Sequence, residues 1–271
     1  MKTIPALLLA TALTLTACTQ TTNSMFGDDR SQMMLVSSAE LNAQAAQAYR
    51  QVLAQARAQR KLNTDRNNSA RVKRISQKLI TVAPTLRSDC RSWHWEINTI
   101  TDPTVNAWCM PGGKIVVYTG IIRSLQLTDD ELAAVIGHEI SHALKEHSRE
   151  QASKAKLQSG LTTLASLVGV NGNLTSAANS AYNTFIAQSF SRSQESEADK
   201  LGVELMYKAG YDPQAAVTLM RKMSRLEDQS GSNAGLNALL GSFTRTHPTG
   251  EQRYKDLQAL IDKYELRQKR R

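Results

Sequence analysis

The segment Gly137-His138-Glu139-Ile140-Ser141-His142 sets two imidazoles four residues apart, with a carboxylate directly after the first. On a helix, positions i and i+4 leave the same face one turn apart, so His138 and His142 can grip one metal ion. Glu139 stands about 100° around from His138, near enough to reach a water on that metal without being a ligand itself. This is the chemistry of a zinc hydrolase. A bound Zn²⁺ brings the pKa of its water towards about 7, and a neighbouring carboxylate takes the proton as the water attacks.

A catalytic zinc uses three protein ligands and leaves one position to water, so a third ligand is required. The candidate lies in Phe190-Ser191-Arg192-Ser193-Gln194-Glu195-Ser196-Glu197-Ala198-Asp199. Ser191 and Gln194 have the spacing of a capping box, which opens a helix and puts Glu195 and Asp199 one turn apart on one face. Glu195 can complete a His-His-Glu site. Asp199 can accept the outer ring N–H of a ligand histidine, fixing its tautomer and raising its basicity. Alone, the two carboxylates read as a solvated acidic face; the upstream histidine pair turns the balance to ligation. Glu197, two residues from each, is expected to face away as a surface charge. His147, five residues after His142 and about 500° further around the helix, is expected to point elsewhere into solvent.

These groups need rigid elements beneath them. Thr128-Asp129-Asp130-Glu131 has the T-x-x-E form of a capping box with acid in the first turn, and it sets the start of the metal helix. Leu132, Val135 and Ile136 then anchor that helix in the interior. Helical spacing also appears over residues 39–62, 68–82 (ended by Pro84), 119–125, 151–168, 177–188 and 206–226, the last interrupted at Gly210-Tyr211-Asp212-Pro213, and in a final helix to Leu266. The period changes to two at Trp93, Trp95 and Ile97, a half-buried strand with His94 on the solvent side. Two short strands around Pro111-Gly112-Gly113 follow, as a hairpin or irregular edge. Such an edge, with Asn106, Ala107, Pro111, Gly112 and Gly113 as its markers, can take up an extended peptide as an added strand. The expected class is α+β, predominantly α-helical, with a small sheet beside the metal helix. Residues 169–173 read as a helix connection and 229–242 as a flap or surface loop.

The whole sequence is 41% hydrophobic and 21% charged, ordinary for a globular chain, with a formal net charge of +9. Lys and Arg are scattered rather than massed with aromatics, which argues against a nucleic-acid partner. Residues 1–17 are expected to be a lipoprotein signal. Lys2 precedes an apolar run, and Leu15-Thr16-Ala17-Cys18 resembles a lipobox in which Cys18 is lipidated. Residues 18–38, poor in apolar side chains, are expected to be a flexible tether, with residues 39–271 forming one peptidase domain. Cys90 and Cys109 are candidates for a disulfide or for two buried free thiols.

The His138-Glu139-x-x-His142 motif resembles that of the gluzincin peptidases, the group that includes HtpX, BepA and LoiP. Asn106-Ala107-Trp108, Pro111-Gly112-Gly113, Ser191-Arg192-x-x-Glu195-x-x-x-Asp199, and Thr246-His247-Pro248 followed by Arg253 carry the same likeness. The likeness departs from HtpX in its expected lack of membrane spans and from BepA in its expected lack of a helical-repeat domain, so a LoiP-like periplasmic lipoprotein is expected. The resemblance implies a gluzincin metallopeptidase fold and one Zn²⁺ on His138, His142 and Glu195, with Glu139 as base. It also places His247 near the metal, as an oxyanion stabiliser or as an inhibitory fourth ligand. The implied role is quality control of unfolded or misassembled envelope proteins from a site anchored to the outer membrane. A chaperone-like lipoprotein with latent activity is the rival reading, and Glu139 argues against it, since a pure binder needs no base.

Overall fold

The computed structural model describes residues 18–27, 30–158, 185–187, 189–230, 240, 243–248 and 250–267. The expected features at 169–173, at 159–168 and 177–184, and in most of 229–242 lie outside the described residues. Two very short strands, β1 (Cys18–Thr19) and β2 (Gln32–Met33), come first. They are followed by helices α1 (Ser38–Ala58) and α2 (Arg66–Val82), then strands β3 (Glu96–Ile100), β4 (Ala107–Met110) and β5 (Lys114–Tyr118). The remaining helices are α3 (Thr119–Ser124), α4 (Asp129–Leu144), α5 (His147–Gln158), α6 (Arg192–Lys208), α7 (Gln214–Ser230) and α8 (Glu251–Lys263). The mainly helical α+β class read from periodicity is the class observed.

Helix α4 starts where its capping box requires. The Thr128 hydroxyl accepts the Glu131 N–H at 3.2 Å, and the Glu131 carboxylate accepts the Thr128 N–H at 2.8 Å. Asp129 in the first turn pairs with Arg71 and Arg74. Every residue from Glu131 to Leu144 is buried. A helix covered on all sides is a central element, and α2, α6, α7 and strand β4 all pack on it, α6 most extensively. The α4–α6 contact is unusually close. A Cβ built on Gly202 would stand 3.1 Å from the His138 nitrogen, and one on Gly137 3.2 Å from the Gly202 carbonyl oxygen. Two glycines thus let one backbone approach the other directly.

The sheet has the order β3-β5-β4, with β3 parallel and β4 antiparallel to β5. The strand expected around Trp93 and Trp95 begins later, at Glu96, because residues Ser88–Ser92 form a 3₁₀ turn that leads into it. His94 is exposed, as expected. Gly112 and Gly113 form the β4–β5 turn at φ +76° and +82°, and a Cβ on Gly113 would meet the Trp95 ring at 2.6 Å. The expected peptide-binding edge needs correcting here. Pro111, Gly112 and Gly113 are the turn, and β5 is paired on both sides, so neither offers a free ladder. The edge strands are β3 and β4, and the one packed on α4 is β4, which Asn106 precedes and Ala107 begins.

The stretch expected to be a flexible tether is packed onto the body. Thr22, Phe26, Gln32, Met34 and Val36 are buried. The Asn23 N–H donates to the Leu86 carbonyl at 2.8 Å, and the Ser24 hydroxyl to Glu204 at 2.8 Å. Composition counts apolar side chains, and this segment has few; Phe26, Met34 and Val36 nevertheless pack into the body, while Met25 and Leu35 stay exposed. Cys90 and Cys109 are both buried free thiols.

The α4–α6 glycine contact makes a direct prediction. Gly202→Val should overpack the crossing and destabilise the protein by about 1–3 kcal/mol, read as a fall of several degrees in Tm. An unchanged Tm would show that the helices can separate without cost.

Candidate metal centre

Four side chains from three parts of the chain meet in the interior between α4 and α6. His138 and His142 come from consecutive turns of α4, Glu195 from the first turn of α6, and His247 from the segment before α8. The His138 and His142 Nε2 atoms are 3.0 Å apart, and His138 Nε2 is 3.2 Å from His247 Nδ1. A Glu195 carboxylate oxygen lies 3.3 Å from His142 Nε2 and 3.0 Å from His247 Nδ1. One ligand atom from each of the four residues falls within 4.8 Å of all the others. Ligands at ~2.0–2.1 Å on a tetrahedral ion stand roughly 3.3–3.4 Å from each other. The donor set, two or three imidazoles and a carboxylate, therefore fits zinc both in type and in spacing.

Glu139 lies beside this group. One of its carboxylate oxygens is buried without a hydrogen bond, 3.5 Å from His247 Nε2. Burial raises its pKa, opposed by the His247 and His138 rings. A raised carboxylate in a dry site is suited to holding and returning a proton.

The surrounding charges decide which groups are ionised. Burial works against charge on Glu195, but the His247 and His138 rings outweigh it and hold its pKa well below the ordinary range. Burial pushes His142 well down, leaving a neutral imidazole with a free lone pair. His138 goes the other way. Burial lowers it, yet the Glu195 charge and the Asp199 hydrogen bond prevail and raise it to about 10. Asp199 sits 2.9 Å from His138 Nδ1, placed to accept its outer N–H.

Arg253 closes the network. Its guanidinium lies 2.8 Å from Glu195 and makes two 2.7 Å contacts with Asp199. It thereby compensates two carboxylates buried to within a few per cent. In the sequence Arg253 stands out only through its place after Thr246-His247-Pro248, because nothing local marks an arginine on the last helix as facing inward.

Two expectations are overturned. His147 is fully buried, not solvated, with its Nδ1 2.9 Å from His142 Nδ1 and its Nε2 3.1 Å from Glu197. Glu197 is accordingly not a surface charge: its side chain is 10% exposed and also pairs with Arg30. The extrapolation of 100° per residue failed because α4 ends at Leu144. Glu146 adopts φ +52°, and the reversed chain brings His147 back beneath His142.

Residues 66–261, well over half the chain, match the profile of peptidase family M48. The chain belongs to that family. It is 32% identical over 224 residues to the mitochondrial metalloendopeptidase OMA1 of Schizosaccharomyces pombe, covering 82% of this chain and 61% of the relative. Identity to OMA1 of Arabidopsis thaliana is 38% over 161 residues, 59% of this chain and 30% of the relative. Identity to the beta-barrel assembly-enhancing protease of Yersinia pestis is 30% over 171 residues, 58% and 32%. The chain thus spans from under a third to about three fifths of the length of these relatives. The candidate residues from His138 to His247 all fall inside the matched region.

The raised His138 sets a pH dependence for the metal-free protein. Because its folded pKa, about 10, exceeds the ordinary 6.5, its contribution to stability is fully present below pH ~6.5 and is lost as pH rises through about 10. Urea unfolding of chelator-treated protein should therefore show stability falling from pH 7 to pH 10, and metal uptake at pH 7 should release about one proton. A flat profile with no proton release would contradict the charge assignment.

Proposed function

We propose that this chain is a zinc-dependent metalloendopeptidase that hydrolyses peptide bonds of unfolded or misassembled proteins in a bacterial envelope. The observation that carries the reading is the convergence of His138, His142, Glu195 and His247 on one point, with Glu139 beside it holding a buried carboxylate oxygen that makes no hydrogen bond among the described residues. In this reading His138, His142 and Glu195 hold the ion, which would polarise the scissile carbonyl and acidify a water. Glu139 takes the proton of the attacking water and returns it to the leaving amine. Asp199 and Arg253 keep His138 and Glu195 oriented. The outer edge of β4, packed against α4, binds the substrate backbone in extended form, a geometry that favours unfolded over folded clients.

The proposed location is the periplasm, with the chain tethered to the outer membrane by lipid on Cys18, as a LoiP-like lipoprotein. The lipobox Leu15-Thr16-Ala17-Cys18 supports this, and among the described residues no helix is long and apolar enough to cross a membrane. Since β1 begins at Cys18 and the segment after it is packed, an anchor there holds the catalytic body close to the lipid surface. Cys18→Ala should abolish incorporation of labelled fatty acid; retained label would remove the anchor from the proposal.

A second reading rests on His247. Its Nδ1 is as close to Glu195 as the histidines of α4 are to each other, so it can occupy the position that water needs and keep a client-binding lipoprotein latent. Casein cleavage separates the cases. Glu139→Gln should retain bound zinc and lose activity by at least 10²-fold, and full activity would eliminate Glu139 as base. His247→Ala should lower the rate if the ring stabilises the oxyanion, and raise it if the ring restrains the metal.

A further inference from the structure

The proposed ligand His142 is backed by a chain of side chains that metal binding and catalysis, as described, do not use. His142 Nδ1 faces His147 Nδ1 at 2.9 Å, and His147 Nε2 faces a Glu197 carboxylate oxygen at 3.1 Å. Phe190 stacks on the His142 ring, with centroids 3.9 Å apart and planes at 28°. Beyond Glu197 stands Arg30 from the N-terminal segment, which pairs with Glu197 and, at 2.7 Å through both terminal nitrogens, with Glu150. Glu150 is 1% exposed and also receives Gln32 at 3.1 Å and Gln194 at 3.0 Å.

With neutral rings, only one arrangement of protons satisfies every contact in this line. A carboxylate only accepts, so His147 Nε2 must carry a hydrogen to face Glu197. His147 Nδ1 is then a bare acceptor, and His142 Nδ1 must donate to it. That leaves His142 Nε2 bare and directed at the centre, as a ligand requires. The opposite tautomer of His142 would oblige His147 to donate from Nδ1 and turn the lone pair of its Nε2 onto a carboxylate.

We propose that Glu197 and His147 are positioning residues that lock His142 in its ligand tautomer, and that Arg30 of the N-terminal segment clamps this relay in place. On α4 the two proposed ligand histidines are thus served differently. His138 is held directly by Asp199, whereas His142 is held by a carboxylate one imidazole further away. The proposal rests on the metal-site reading for its consequence, but the tautomer itself is a property of the metal-free chain.

The test uses the full chain with ring-¹⁵N histidine, stripped of metal, and long-range ¹H–¹⁵N correlation spectra. His142 should report hydrogen on Nδ1 and His147 hydrogen on Nε2; hydrogen on His142 Nε2 would overturn the relay. Glu197→Leu, with its fold confirmed by circular dichroism and Tm, should shift His142 away from the Nδ1–H form. It should also weaken zinc, measured by competition with a chromophoric chelator, by 10–100-fold. Glu197→Gln, whose amide oxygen still accepts from His147, should recover most of that loss, which a packing role would not distinguish from Leu. Arg30→Met should weaken zinc by less than Glu197→Leu and in the same direction. Zinc affinity and tautomer both unchanged in Glu197→Leu would refute the proposal. Failure of the wild-type chain to bind zinc, with the expected tautomers intact, would instead refute the metal-site reading alone.

Discussion

The backbones of α4 and α6 touch at Gly137 and Gly202, and the geometry of the candidate metal centre depends on that contact. His138 follows one glycine directly, and Glu195 and Asp199 precede the other by about two turns and one turn on the same helix. With any larger side chain at the crossing, the axes would stand further apart, and a carboxylate could no longer lie 3.3 Å from His142 Nε2. The capping boxes at Thr128 and Ser191 fix where each helix begins, and so fix the height of each ligand along its axis. Position along the helix and distance between helices are thus set by separate local features, and the site needs both.

Bringing so many ionisable groups into one interior would be unfavourable unless each had a partner. Charges are paired outward in layers. Glu195 is answered by the imidazoles and by Arg253, Asp199 by His138 and Arg253, and Glu197 by His147 and Arg30. Glu139 is the least well answered: it and Glu195 each have a buried carboxylate oxygen without a hydrogen bond among the described residues, but Arg253 stands 2.8 Å from that of Glu195, whereas the His247 ring is 3.5 Å from that of Glu139. A buried acceptor left without a hydrogen bond costs stability, and such a cost at Glu139 is intelligible if that group must take up a proton.

The N-terminal segment contributes to the site rather than merely leading to it. Gln32 donates to the Lys145 carbonyl at 2.8 Å, at the turn where α4 ends, and Arg30 reaches the carboxylates behind His142. The turn between α4 and α5 is therefore held from the outside by residues more than a hundred positions earlier. The N-terminal segment and the His142 ring are thus linked through a few hydrogen-bonded side chains.

By itself the sequence determined what repeats locally. The i, i+4 histidines, both capping boxes, the spacing of Glu195 and Asp199, and the glycine turn before β5 are all short-range patterns, and each appears where the pattern put it. Whatever depended on the chain changing direction was decided by tertiary structure. His147 looked solvated because helical phase was carried past Leu144, and Glu197 looked like a surface charge because its partners, His147 and Arg30, lie 50 and 167 residues away. The sheet edge beside α4 fell to β4 rather than the glycine turn because pairing order in a sheet is not a local property. Arg253 gave no signal on its own helix, since an arginine is drawn inside only by carboxylates that another helix brings. Periodicity can report which face of an element is apolar, but a buried charge is specified by its partner, and only the folded chain says who that is.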